Sequence, residues 1–257
     1  VLCASRFTHP LRVQDIGPTL DGVAYAMLLN PAGGLVGGDR LSTTIVLEPG
    51  AHACCTTASA TKVYRTLGQA AVCETKTRLA REAILEYVPD HVIPHAGAFL
   101  RQSLEVEMEE RSRAIIAESY ATGRIARGER LQFKEVDSST RVTVCGKEIF
   151  FSRSRLTPQT IDLDAPGRLE GFNYLGTLLI VAEDRKKQDW QCLCDGIERH
   201  LSAYAQVRGG TSILAYGGCV ARFLTSTAHE LAQLTYDLWM LARRELLGLA
   251  EFNPRKY

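Results

Sequence analysis

Through much of the chain, apolar positions recur every second residue. Leu104, Val106 and Met108 alternate with Glu105, Glu107 and Glu109, and Val142 and Val144 alternate with Arg141 and Thr143. Leu41, Thr43, Ile45 and Leu47 alternate with Ser42, Thr44 and Glu48. A period of two is the mark of strands with one face turned inward. Glu48-Pro49-Gly50 and Cys145-Gly146-Lys147 read as turns. These strands recur at short intervals with no amphipathic helix between them. The pattern predicts a mainly β fold with a stacked or solenoid-like sheet body, not a βαβ fold. No exact repeat is visible.

The period changes near residue 185, and two α-helices are predicted in the C-terminal third. Trp190, Leu193, Cys194, Ile197, Leu201 and Tyr204 share one helical face, with Gly209 expected as the stop. Thr227 and Glu230 form a Thr-x-x-Glu capping box for the second helix. Leu231, Leu234, Leu238 and Leu241 continue its face, Arg243 and Arg244 are expected to complement its C-terminal dipole, and Gly248 ends it. Both apolar stripes are expected to pack on the sheets. Between the helices, 211–225 reads as one strand or a strand pair broken at Gly217-Gly218. The chain is thus a β-rich body over 1–185 and a helix–strand–helix part over 186–257, packed as one continuous domain.

The segment LLNPAGGLVGGDRL, Leu28–Leu41, breaks the strand pattern with two glycine pairs, Gly33-Gly34 and Gly37-Gly38. Each pair requires either positive φ or close approach of another group to the backbone. A phosphate-binding loop would need Gly-Lys-Ser/Thr or a helix opening at the last glycine. Here Asp39-Arg40 and a strand follow instead, so the loop reads as a turn.

Composition narrows the field. The formal net charge of +1 gives no global attraction to nucleic acid or anionic lipid. No apolar run approaches the ~20 residues that span a bilayer. The start, VLCASRF, has no signal-peptide pattern and no initiator Met, which suggests a trimmed leading segment. Eight cysteines with no CxxC read as reduced, mostly buried thiols in a cytoplasmic protein.

Metal ligands do not converge in sequence. His91 and His95 are four apart, but Pro89 and Pro94 exclude a regular helix, and four strand residues span ~13 Å. Cys192 and Cys194 point to opposite sides of a helix, and Cys54 and Cys55 to opposite faces of a strand. His52, His200 and His229 have no close partner in sequence. No preformed metal site is expected.

Several motifs occur together and in order. Pro31, Gly33, Gly34, Gly37, Gly38 and Asp39 are followed by Pro49-Gly50-Ala51 and by Thr57, Lys62, Tyr64 and Arg65. LEYVPDHVIPHAGA (85–98), GRIARGE (123–129), GTLLIVA (176–182) and Asn253-Pro254-Arg255 come after them. This series resembles the urease accessory protein UreD (UreH) family from about Pro10 onward, without the extra strand or two that usually begin it. The resemblance implies a non-enzymatic assembly factor. It would bind the urease apoprotein and a UreF-type protein and, through the latter, engage a UreG-type GTPase. Nickel and carbon dioxide, the latter as a lysine carbamate, would then reach the buried dinickel site of urease. It implies no tightly bound cofactor, only transient nickel, and no nucleic acid or membrane partner.

The matching residues become the candidate site. Asp39 is expected to cap loop N–H groups or pair with Arg40 or Arg65. Lys62 and Tyr64 share one strand face and Arg65 takes the other. Glu86, Arg124 and Glu129 are charges in apolar sequence surroundings and are expected to form a paired network, either fixing the β stack or lining an interior water path for nickel. The competing class is a metal- or nucleotide-dependent enzyme on a β-rich fold. A stable complex with UreF- and UreG-type partners, as against intrinsic turnover, separates the two.

Overall fold

The computed structural model describes residues 2–19 and 21–254; Arg255 lies outside them. After β1 (Arg12–Pro18), the strands β2 (Ala24–Leu29), β3 (Arg40–Leu47), β4 (His52–Thr57), β5 (Thr61–Val63), β6 (Ala71–Leu79), β7 (Ile84–Tyr87), β8 (Val92–Pro94), β9 (Phe99–Met108), β10 (Arg113–Ala121) and β11 (Glu135–Val144) wind as a β-solenoid of about 3 turns. The winding gives two facing stacks. In sheet A, β2, β4, β7 and β10 pair in parallel. In sheet B, β3, β6, β9 and β11 do the same. A short third side joins them: Leu35 bridges Val63, β5 pairs with β8, and Val92 pairs with Tyr120.

Antiparallel strands complete both sheets. β1 covers the β2 edge of sheet A. β12 (Lys147–Leu156) follows β11 through a turn at Cys145-Gly146 and ends sheet B. Sheet A runs further, through β13 (Tyr174–Ala182) and then β15 (Gly218–Thr225) to β14 (Val207–Ile213). The 211–225 region is therefore a strand pair.

Helix α1 (Lys187–Ser202) and helix α2 (Ala228–Ala242) pack on the outer face of sheet A. Trp190, Leu193, Ile197, Leu234 and Leu238 meet Ile115, Leu178 and Ile180 there. The α2 capping box forms: the Glu230 N–H donates to Thr227 Oγ1 at 3.1 Å, and the Thr227 N–H to Glu230 Oε2 at 3.0 Å. Gly248 closes the helical run in the left-handed conformation, after a π turn over Arg243–Leu247.

Two expectations are corrected. Helix α1 ends at Ser202, and Gly209 is a residue of β14. A Cβ on Gly209 would lie 2.7 Å from the Arg222 carbonyl oxygen and 2.8 Å from Phe223 Cβ; close strand packing, not helix termination, calls for glycine there. Arg243 is not a solvated partner of the helix dipole: it is fully buried. Among the described residues no helix is long and apolar enough to cross a membrane.

Candidate functional site

The glycine loop is the third-side rung of the first coil. The Leu35 N–H donates to the Lys62 carbonyl at 2.8 Å, and the Tyr64 N–H donates back to the Leu35 carbonyl at 2.7 Å. Each glycine pair combines both demands. Gly33 and Gly38 take φ of +79° and +93°. A Cβ on Gly34 would meet Tyr64 Cε2 at 2.7 Å, and one on Gly37 would overlap the Thr66 side chain. The Tyr64 hydroxyl donates to the Gly33 carbonyl at 3.2 Å. Asp39 acts within the loop: its Oδ2 accepts the Val36 N–H at 2.9 Å. Among the described residues it forms no ion pair with Arg40 or Arg65. Lys62 and Arg65 are exposed, and Arg65 bridges Ala98 on the neighbouring turn of the chain.

Glu86, Arg124 and Glu129 do not meet. Glu86 lies on β7, facing the helices, and is fully buried. Its Oε1 is 2.8 Å from His52 Nε2 and 3.8 Å from Arg243 Nε, and its Oε2 accepts the Trp239 indole N–H at 2.6 Å. Arg243 Nη2 donates to Asp21 Oδ2 at 3.0 Å, and its guanidinium stands over the Phe252 ring. One carboxylate thus ties β4, β7, α2 and the π turn together. Nearby, the closing segment is held by the Tyr25 hydroxyl, which donates to the Pro254 carbonyl at 3.2 Å. Arg124 and Glu129 form a separate fork on the third side, with Arg124 Nε donating to Glu129 Oε2 at 2.7 Å. The same oxygen accepts the Ala96 N–H at 3.2 Å, and the Arg124 hydrogen bond above all holds the Glu129 carboxyl below the usual range.

A different set of residues faces the space between the sheets. In sheet B, parallel register aligns Thr43, Thr75, Leu104 and Thr140 in one row, and the antiparallel β11–β12 pair adds Ser152. Two residues back, the same pairing aligns Leu41, Cys73, Gln102, Ser138 and Ser154. Opposite them on sheet A, Glu118, Thr177 and Arg222 are in direct register. A polar seam therefore crosses the strands along the solenoid axis. It separates an apolar cluster around Leu85, Val106, Ile116 and Val142 from a second around Leu35, Leu100, Phe133 and Val136.

The seam is partly hollow. A cavity of about 400 Å³ runs from Asn30, Pro31 and Gly33 of the glycine loop past Thr75 and Gln102 to Glu118. A second, of about 130 Å³, runs from Glu118 past Ser138 and Thr140 to Ser152, Ser154 and Arg222. Glu118 lines both. Its Oε2 accepts the Thr140 hydroxyl, and its Oε1 is buried without a hydrogen-bond partner. Burial pushes the Glu118 carboxyl up, against the opposing effect of the Thr140, Gln102, Ser138 and Tyr120 donors. Burial also pushes the Tyr87 phenol and the Cys73 thiol up to about 12, so both stay protonated at neutral pH. The Tyr120 hydroxyl donates to Ser138 Oγ at 2.6 Å and accepts Gln102 Nε2 at 3.1 Å.

The two histidines between the prolines go separate ways. His91 packs edge-on against Tyr174 and His95 against Tyr64. Cys54 and Cys55 enter the cores on opposite faces of sheet A. Among the described residues no three His, Cys, Asp or Glu side chains gather in a way that could hold a metal ion.

The profile of the UreD urease accessory protein family matches residues 1–257. The chain belongs to this family. A UreD protein of Herpetosiphon aurantiacus is 33% identical over 256 residues, covering 96% of this chain and 88% of the relative. One from Mycolicibacterium gilvum is 35% identical over 243 residues, covering 94% and 85%. An archaeal one, from Cenarchaeum symbiosum, is 29% identical over 254 residues, covering 96% and 87%. As a UreD-family member the chain is a non-catalytic chaperone of urease maturation and nickel insertion.

Proposed function

We propose that this UreD-family chain is the assembly scaffold that binds apo-urease and a UreF-type partner, recruits the UreG-type GTPase through that partner, and carries nickel along its axial seam. The observation that carries the conduit is the row of polar side chains meeting at Glu118, the carboxylate shared by both cavities. Nickel sites that bind tightly favour imidazole and thiolate. Hydroxyl, amide and single-carboxylate oxygens hold the ion weakly, and a passage must release what it admits. Oxygens also replace part of the hydration shell that an apolar passage would strip. The cysteine-rich, disulfide-free chain suits a reducing compartment, the cytoplasm. On this reading the glycine loop lines the larger cavity, while Glu86 anchors the C-terminal helix to the outer face of sheet A and the Arg124–Glu129 fork clips a corner of the third side.

Glu118→Gln tests the conduit. It keeps size and an acceptor oxygen but removes the carboxyl that can give up its proton to an arriving dication. The expected result is assembly of the complex as in wild type, with nickel delivery to apo-urease slowed about tenfold or more. Wild-type delivery by Glu118→Gln would remove the conduit and leave the scaffold.

A further inference from the structure

Arg222 stands at the far end of the seam in an unusual position. Sheet B stops at β12, whereas sheet A continues through β13, β15 and β14. The inward face of β15 is therefore uncovered at Arg222, which is exposed. Its Nη2 donates to Ser152 Oγ at 3.2 Å, spanning the gap between the sheets where the smaller cavity opens. Register puts it on the same row as Thr177 and Glu118, two strand spacings or about 10 Å from the latter's backbone.

The arginines around it are matched. Arg141 pairs with Glu148, Arg153 with Asp137, Arg155 with Glu135 and Arg208 with Glu170. Among the described residues Arg222 forms no ion pair. A guanidinium across the mouth repels an approaching dication, and because the side chain is exposed this repulsion weakens as salt rises. It also offers a planar fork suited to a carboxylate, next to the exposed Gly210 and Ser212 of β14.

We propose that Arg222 is an electrostatic gate on the seam, opened when an acidic side chain of a docking protein pairs with it and draws it off Ser152. This rests on the conduit reading above. In the closed state the cation blocks the mouth. In the docked state the carboxylate neutralises the guanidinium and turns it aside, so the ion leaves only into a partner.

The test uses the full accessory complex with apo-urease, loaded with nickel in the presence of an external chelator. Arg222→Glu should weaken association of the accessory complex with apo-urease about tenfold and flatten its salt dependence, while Arg222→Lys keeps association close to wild type. Arg222→Ala should let several-fold more nickel escape to the chelator and lower delivery, with an unchanged melting temperature because the side chain is exposed. Wild-type association, escape and delivery in Arg222→Glu and Arg222→Ala would overturn the gate. If Glu118→Gln is slow under those same conditions, the conduit survives and the gate alone is wrong. If Glu118→Gln also delivers normally, both are wrong.

Discussion

Glu86→Gln should lower the stability of the free protein by about 3–5 kcal/mol, because it strips the counter-charge from a buried guanidinium. For a chain of this size that is a fall in melting temperature of about 10–15 °C. Gln can still accept the Trp239 indole N–H, so the loss reports charge and not packing. Arg243 would keep only the half-exposed Asp21, while its Nε and Nη1 already lack hydrogen-bond partners. The double variant Glu86→Gln with Arg243→Met removes both charges at similar volume and should recover most of the loss, as replacement of buried ion pairs often does. A thermal melt of the three proteins decides this. A single variant as stable as wild type, or a double variant less stable than the single, would show that Glu86 is not the anchor of the C-terminal helix.

Gly37→Val should be the second large effect, about 3 kcal/mol and about 6–12 °C. Its φ is not left-handed, so the cost is not dihedral strain. A Cβ there would overlap Thr66 and lie 2.7 Å from the Gln69 carbonyl, a backbone atom that cannot swing away. The neighbouring Asp39→Ala should cost less, about 1 kcal/mol or under, because the Val36 N–H it releases is at an exposed residue that water can serve. Soluble yield and thermal melts on both variants check the contrast. Equal losses would mean that the Asp39 cap, not close packing, holds the rung.

These two sites also mark where the sequence was legible. Strand period, turns and the Thr227–Glu230 box are local signals, and each lies within a few residues of chain. The glycine pairs read as demands on the backbone from sequence alone, and the fold shows that Tyr64 and Thr66 fill the space above them. Arg243 could not be placed: a last-turn arginine normally reaches solvent, and its burial depends on Glu86, far away in sequence. Gly209 misled for the same reason, since the strand crowding it, β15, comes after it in the chain.

The seam is not legible in the sequence, although each strand's share of it is local. In β11 the inward positions run Val136, Ser138, Thr140, Val142; in β10 they run Ala114, Ile116, Glu118, Tyr120. In each, polar side chains interrupt an otherwise apolar inward face. Taken singly, an inward serine or threonine is unremarkable. Only the parallel register of successive coils lines them up into one path, and that register is a property of the winding. Glu86, Arg124 and Glu129 stood out because charge is conspicuous in apolar sequence, but one holds a helix and the others clip a corner.

The most direct test of the central claim is to fill the seam and count the nickel delivered. Ser154→Phe puts a ring into the smaller cavity, about 130 Å³, beyond Glu118 from the glycine loop. Nickel content of urease matured with this variant, measured by elemental analysis, should drop to about a tenth of the wild-type value while the accessory complex still assembles. Full nickel content with an intact complex would show that the ion does not travel between these sheets.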